Sequence, residues 1–242
     1  MSTVAPTLAA DLAHRAADVR ARIAAACERS GRDPEAVRLI AVSKTFSADV
    51  VAAAREAGLA DFGENRVQEM VEKSEILPGE AFGGDVRWHL IGPLQRNKAK
   101  FVAACADSFH ALDSVKLAEE LDKRLEQEER RLPCFVQVNV SGEDSKSGVA
   151  PAECHALLDA LAPFSRLEIV GLMAIAAPAD DEAELEAVVR PQFRQLRTLA
   201  ETYAGPNGPL RRLSMGMSGD FEVAVEEGAT DVRVGSALFG SR

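Results

Sequence analysis

Two separated stretches of this sequence carry residue types that could do chemistry together. Near the C-terminus, Leu213-Ser214-Met215-Gly216-Met217-Ser218-Gly219-Asp220 runs an apolar strand into a small-residue loop that opens a helix. A second strand follows, Asp231-Val232-Arg233-Val234-Gly235-Ser236-Ala237-Leu238-Phe239-Gly240, with Arg, Gly and Ser toward its end. Small residues let backbone N–H groups approach an anion, a helix start leaves N–H donors unpaired, and Ser hydroxyls add donors, so the pair reads as a phosphate cup. Far upstream, Leu39-Ile40-Ala41-Val42-Ser43 leads into Lys44. A partly desolvated lysine at such a strand end has a lowered pKa and can attack a carbonyl to form a Schiff base. The alternative is a surface lysine with its stem laid on apolar neighbours. A cup across a barrel mouth from Lys44 would suit a phosphorylated aldehyde.

The elements that must position these residues follow from the hydrophobic pattern. Leu8, Leu12, Val19, Ile23 and Cys27 recur at helical spacing, so the first thirty residues read as an amphipathic helix ending near Ser30-Gly31. Eight short apolar runs come next: Leu39–Lys44, Asp61–Asn65, Val86–Gly92, Ser108–Asp113, Cys134–Ser141, Leu167–Ile175, Arg211–Gly216 and Asp231–Phe239. Helix candidates lie between them near 48–58, 65–76, 96–105, 114–130, 151–162, 183–203 and 219–228, two of them closed by Gly58 and Gly228. Strands alternating with helices predict an α/β protein, a single (β/α)₈ barrel over 1–242 with an extra N-terminal helix. Pro191 should kink the seventh helix or mark its true start, making Asp180–Val189 a separate acidic turn.

Composition narrows the function classes. The chain has 242 residues, 47% of them hydrophobic, which is enough for one large core. A formal net charge of −10 repels polyanions and anionic lipid, so nucleic acid and membrane are not expected partners. Cys27, Cys105, Cys134 and Cys154 are too widely spaced for a zinc or redox motif, and the histidines show no ligand spacing, so no metal is expected. No apolar run approaches membrane-spanning length and the N-terminus has no apolar leader segment, which points to a cytoplasmic protein.

In such a barrel the residue closing each strand faces a common mouth. Those residues are Lys44, Glu64-Asn65, His89 to Gln95, His110 and Asp113, Asn139 and Ser141, Met173, Ser214 with Ser218, and Arg233 with Ser236. Asn65 serves either the mouth or a helix cap. Trp88 and His89 serve either the mouth or the core. The polar stretch Asn139–Gly148 reads as a loop over a pocket, with Lys146 a second amine near the mouth. Arg233 is either paired with a carboxylate or faces a ring nitrogen, which it would keep unprotonated.

Several motifs together resemble a known family. Ala41-Val42-Ser43-Lys44-Thr45, Phe62-Gly63-Glu64-Asn65 with Val67-Gln68-Glu69, Trp88-His89-Leu90-Ile91-Gly92-Pro93-Leu94-Gln95 with Asn97-Lys98, Ser145-Lys146-Ser147-Gly148, Gly171-Leu172-Met173-Ala174-Ile175 and Leu213–Ser218 resemble the YggS/PROSC family, the pyridoxal 5′-phosphate (PLP) homeostasis proteins. Arg66 stands where members of that family carry Tyr, and Asp180–Glu186 is an acidic insertion. The resemblance implies the fold-type III PLP barrel of alanine racemase without its second domain. It implies that Lys44 is the Schiff-base lysine, that Ser218, Gly235 and Ser236 hold the phosphate with Ser214 and Met215 lining the cup, that Arg233 faces the pyridine nitrogen, and that Asn65 lies near the ring. It further implies a monomer that holds PLP without turnover and serves apo PLP-dependent enzymes. An amino-acid racemase is the alternative, and a cofactor-free class I aldolase a third. Racemisation needs acid/base groups on both faces of the cofactor, and the sole tyrosine, Tyr203, is expected on a helix.

Overall fold

The computed structural model describes residues 6–80, 83–143 and 146–240. Residues 1–5 of the expected N-terminal helix, and Asp144 and Ser145 of the polar loop, lie outside the described residues. The apolar runs become eight parallel strands: β1 (Arg38–Val42), β2 (Asp61–Glu64), β3 (Arg87–Leu90), β4 (Ser108–Leu112), β5 (Leu132–Gln137), β6 (Leu167–Met173), β7 (Arg212–Ser214) and β8 (Asp231–Val234). They form a closed barrel in sequence order, with β8 paired back onto β1 and Ala41 opposite Val234. Closure corrects one expectation: Lys44, just past β1, lies beside the strand that carries the cup instead of across the mouth from it.

Helices wrap the barrel as α1 (Pro6–Ser30), α2 (Ala48–Glu56), α3 (Val67–Ile76), α4 (Ala99–Cys105), α5 (Val115–Gln127), α6 (Cys154–Leu161), α7 (Glu182–Glu184), α8 (Arg190–Thr202), α9 (Phe221–Glu226) and α10 (Ser236–Phe239). Gly58 and Gly228 follow α2 and α9 at φ +83° and +106°, the left-handed conformation that favours glycine after a helix. Between α7 and α8 the chain makes a wider π-turn over Leu185–Val189. Pro191 is the second residue of α8, which follows that π-turn directly; residues 182–202 run helical without a break, so the proline does not start a separate helix and Asp180–Val189 is not the separate turn expected of it.

The last element departs from the pattern. The sequence carries an eighth strand to Phe239, but the strand ends at Val234. Gly235 leaves the extended region at φ −114° and ψ −77°, and its carbonyl accepts the N–H groups of Leu238 and Phe239, which starts α10. An apolar stretch this short reads equally well as strand or helix, and the glycine settles it.

Alternation along the strands gives the barrel two unlike surfaces. Outward side chains such as Phe62, Trp88 and Phe109 are fully buried against the helices. The Phe62 and Trp88 rings lie 5.7 Å apart, and Trp88 Nε1 donates to the Leu77 carbonyl at 2.8 Å. The interior is ionic at the N-terminal ends of the strands. Arg87 Nη2 is 2.7 Å from Asp61 Oδ2, Arg38 lies 3.5 Å from Asp61 and 4.0 Å from Asp231, and Arg212 pairs with Asp231.

Helix α1 packs on α9, α2 and α10, burying Leu12, Ala16, Val19 and Ile23 along one stripe. Arg22 and Arg29 bond to Glu222 and Glu226 of α9 at 2.9 and 2.6 Å, and Arg15 Nη1 donates to the Leu238 carbonyl of α10 at 3.2 Å.

Burial pulls the Asp61 carboxyl up, but hydrogen bonds from Arg87 and His89 outweigh it and hold the group well below the usual carboxylate range. The folded protein therefore binds this proton more weakly than the unfolded chain, where Asp titrates near ~3.9. The contribution to stability is complete above that pH and is lost as pH falls below it. Urea unfolding followed from pH 5 down to pH 2 is expected to show a steep acid loss in the wild type and a shallower one in Asp61→Asn; equal slopes would remove Asp61 from the acid response.

Candidate functional site

A cavity of about 740 Å³ opens at the C-terminal ends of the strands, a size suited to a small ligand. Its lining brings together Lys44, Asn65, Ser218, Arg233, Gly235 and Ser236, six of the eight residues that the family resemblance assigns to the cofactor. Lys146 and Asn139 also line it, with Phe46, Ile175 and Met217 as apolar wall.

The cup is built from two loops. After β7, Gly216 takes φ +93°, and a Cβ there would stand 2.6 Å from the Ala224 Cβ, so glycine is required for this loop to fold back over α9. The Asp220 carboxylate then accepts the Met217 N–H at 2.5 Å, which holds the Met217-Ser218-Gly219 turn. Ser218 Oγ accepts the N–H groups of Gly235 at 3.1 Å and Ala237 at 3.4 Å. Two backbone donors at the start of α10 thus converge on the Ser218 hydroxyl at one point of the cavity wall, and the set fits a phosphate group that would take those N–H groups over from Ser218 Oγ. A Cβ on Gly235 would lie 3.5 Å from Val42, so the β1 wall passes close by.

Arg233 forms the floor. It is 3% exposed, its Nη1 donates to Ser214 Oγ and its Nη2 to the Ala174 carbonyl, each at 2.8 Å. Burial lowers the guanidinium to about 10, against the pull of Asp220 and Asp231. It remains a cation at neutral pH, aimed by two neutral acceptors.

Lys44 sits in an exposed turn two residues past β1, and helix α3 grips that turn from behind. Lys73 Nζ donates to the Ser43 carbonyl at 2.8 Å and to Glu64 Oε1 at 2.5 Å; Ser43 Oγ donates to the same Glu64 oxygen at 2.6 Å. Glu69 accepts the Thr45 N–H at 2.7 Å, and Thr45 is held at φ +67°, an unfavourable conformation for a β-branched residue. Glu64 and Lys73 are both buried, and Glu64 Oε2 has no hydrogen-bond partner. Burial raises the Glu64 carboxyl against the hydrogen bonds from Lys73 and Ser43.

The remaining expectations need correction. Ser214 and Met215 are fully buried and do not line the cavity. Ser214 turns into the barrel below the mouth, where it meets Arg233 and His110, while Met215 turns outward into the core. His89 and His110 also lie below the mouth, at 1% and 0% exposure, so neither lines the cavity. Asp113, Ser141 and Met173 are not in the lining either. Tyr203 follows α8 and donates to Asp159 at 3.0 Å, outside the cavity. The sequence reading missed Ser43, Lys73 and Ser108, and it misplaced Glu64. The period-two alternation of each strand carries that signal, since Ser43 and Glu64 have outward parity while Val42 and Gly63 face inward.

Fold and site together define an alanine racemase N-terminal-type barrel, and the family model described as "Alanine racemase, N-terminal domain" matches residues 15–242. The alanine racemase of Bartonella henselae shares this fold with a TM-score of 0.66 at 18% identity, over 92% of this chain and 58% of the racemase. Within that class, the chain belongs to the pyridoxal phosphate homeostasis protein family. It is 42% identical to the Escherichia coli K12 member over 237 residues, 96% of this chain and 97% of that protein. It is likewise similar to PipY of Synechococcus elongatus, solved with PLP bound, with a TM-score of 0.79, 38% identity, and coverage of 95% of this chain and all of PipY.

The grip on the lysine turn can be tested without any ligand. Lys73→Met leaves the Glu64 carboxyl buried beside a vacated partner, and a broken buried pair costs about 3–5 kcal/mol. Urea denaturation should register that loss, with most of it recovered in Glu64→Leu/Lys73→Met; a single variant as stable as wild type contradicts the buried pair.

Proposed function

We propose that this chain binds PLP in the barrel mouth, attached through Lys44, and acts in vitamin B6 homeostasis as a carrier of the cofactor and not as an enzyme. The observation that carries this reading is the adjacency of a gripped lysine turn after β1 and a phosphate-type donor set after β8, with a buried cation between them. The names of the curated relatives and the PLP-bound PipY structure support it. When bound, PLP supplies an aldehyde that a lysine amine can capture and a phosphate that anchors it. Ser218, Ser236 and the N–H groups of Gly235 and Ala237 would hold the phosphate, Arg233 would face the ring nitrogen, and Asn65 would lie near the ring.

The racemase alternative needs proton donors and acceptors on both faces of the cofactor. Among the described residues, the ionisable side chains of the lining are Lys44, Lys146 and Arg233, and Lys146 is engaged with Glu143 at 2.7 Å and with the Ala176 carbonyl at 3.1 Å. Arg233, as a permanent cation, would keep the ring nitrogen unprotonated and weaken it as an electron sink. The cofactor-free aldolase reading leaves Arg233 and the Ser218 cup without a role. We place the protein in the cytoplasm as a monomer that hands PLP to apo enzymes. Buried thiols at Cys27, Cys105, Cys134 and Cys154 suit a reducing compartment. No described helix is long and apolar enough to cross a membrane, and no described cluster could hold a metal ion.

Borohydride treatment of the PLP-loaded protein is expected to leave the label on the peptide containing Lys44. The same preparation should exchange the α-proton of L- or D-alanine in deuterated buffer no faster than free PLP does. A label elsewhere removes Lys44, and exchange that disappears in Lys44→Ala promotes the racemase.

Ser218→Ala with Ser236→Ala should weaken PLP retention while leaving unphosphorylated pyridoxal nearly unaffected, since each lost hydrogen bond to a charged group is worth roughly 1.5–3 kcal/mol. Equal weakening of both ligands in equilibrium dialysis means these serines do not read the phosphate.

A further inference from the structure

Below the cavity floor, an unbroken chain of hydrogen bonds crosses the barrel interior. Arg233 Nη1 meets Ser214 Oγ at 2.8 Å, Ser214 Oγ meets His110 Nδ1 at 2.8 Å, and His110 Nε2 meets Ser108 Oγ at 2.8 Å. Ser108 Oγ meets His89 Nδ1 at 2.6 Å, and His89 Nε2 meets Asp61 Oδ1 at 2.9 Å. The chain begins at the mouth and ends in the ionic layer at the opposite end of the barrel, where Asp61 lines a second cavity with Arg38, Arg87 and Arg212. All six side chains are buried.

The chemistry of the links gives the chain one direction when both rings are neutral. The Asp61 carboxylate can only accept, so His89 carries its proton on Nε2. His89 Nδ1 is then an acceptor and takes the Ser108 hydroxyl proton. With that proton used, Ser108 Oγ must accept from His110 Nε2–H, which leaves His110 Nδ1 to accept the Ser214 hydroxyl. Ser214 Oγ in turn accepts from Arg233, which can only donate. Every donor points from Arg233 toward Asp61, and a cation and an anion close the two ends. Burial first, then the neighbouring His89 ring and the positive charges of Arg233, Arg212 and Arg38, push the His110 imidazolium well below its ordinary range and leave the ring neutral. Its ring lies flat on Phe135 with centroids 4.2 Å apart and edge-on to His89 at 5.4 Å, so its plane is fixed as well.

We propose that Ser214, His110, Ser108, His89 and Asp61 form a one-directional hydrogen-bond relay that fixes the Arg233 guanidinium in the cavity floor, which makes His110 a positioning residue for the ring of the bound ligand. The proposal rests on the reading of the cavity as a PLP site. It has a consequence for that site: the Ser214 hydroxyl proton is committed to His110, so the floor offers the ligand N–H donors of Arg233 and no competing hydroxyl.

The first test needs neither ligand nor variant. Long-range ¹⁵N–¹H correlation spectra of the histidine side chains, recorded on PLP-free protein at pH 8, should show His89 and His110 both as neutral Nε2–H tautomers. An Nδ1–H tautomer, or a charged ring, at either position overturns the relay, and this result stands whatever becomes of the PLP reading. The second test uses Ser108→Ala, a one-atom deletion that interrupts the relay midway, and His110→Phe, which keeps the stack on Phe135. Ser108→Ala should leave His110 as a mixture of tautomers. Both variants should bind PLP and unphosphorylated pyridoxal at least fivefold more weakly and by the same factor, because Arg233 addresses the ring and not the phosphate. Glu35→Gln, in the lower cavity but outside the chain, should bind both as wild type does. A single His110 tautomer in Ser108→Ala, unchanged binding in both variants, or a loss confined to the phosphorylated ligand rejects the positioning role.

Discussion

The pairing of β8 with β1 is the constraint on which the site depends. Eight parallel strands leave no exposed edge once the last bonds to the first, and closure brings chain ends nearly 200 residues apart in sequence to one seam. Lys44 leaves one side of that seam and Gly235 the other. The two halves of the cavity lining therefore lie within reach of one small molecule. Arg233, third residue of β8, points inward between them.

The strand alternation then divides labour between the two faces of the sheet. Outward residues at the ends of β1 and β2 build the buried Ser43, Glu64 and Lys73 cluster, which orients the lysine turn through backbone groups. Inward residues build the polar column beneath Arg233. Barrels of this type usually fill the interior with branched apolar layers. Here much of the interior is ionic or hydrogen-bonded, and nearly every polar atom in it finds a partner. Among the described residues, the buried side-chain polar atom left without a partner is Glu64 Oε2, and it lies outside that interior, on the helix side of the sheet. Such networks are costly when half satisfied, which ties the position of Arg233 to residues far from the mouth.

Much of this was legible in the sequence. The alternation of apolar runs and helical stretches carried the barrel, and the strand-end motifs carried six of the cavity residues. The errors have a common physical origin. A motif identifies a strand end, but only the parity of each residue says which face it takes, and a shift of one position moves it to the other face. Ser214 and Met215 stand next to cup residues in sequence and are turned away from the cavity. His110 and Ser108 carry no local signal of their role, since their partners His89 and Ser214 belong to other strands. The eighth strand was drawn too long because Ser236–Phe239 is as apolar as a strand, and only the backbone angles at Gly235 start the helix.

The brace that α1 provides gives the termini a joint mechanical role. Its arginines hold α9 through two carboxylates and α10 through a terminal carbonyl, and these two helices flank the cup loop and the backbone donors beside it. Local opening in proteins proceeds by cooperative units and not residue by residue. The first helix and the last two are joined by these contacts and share one packed face of the molecule. Hydrogen exchange at the amides of α1, remote in sequence from every cavity residue, therefore reads on the contacts that flank the cup loop.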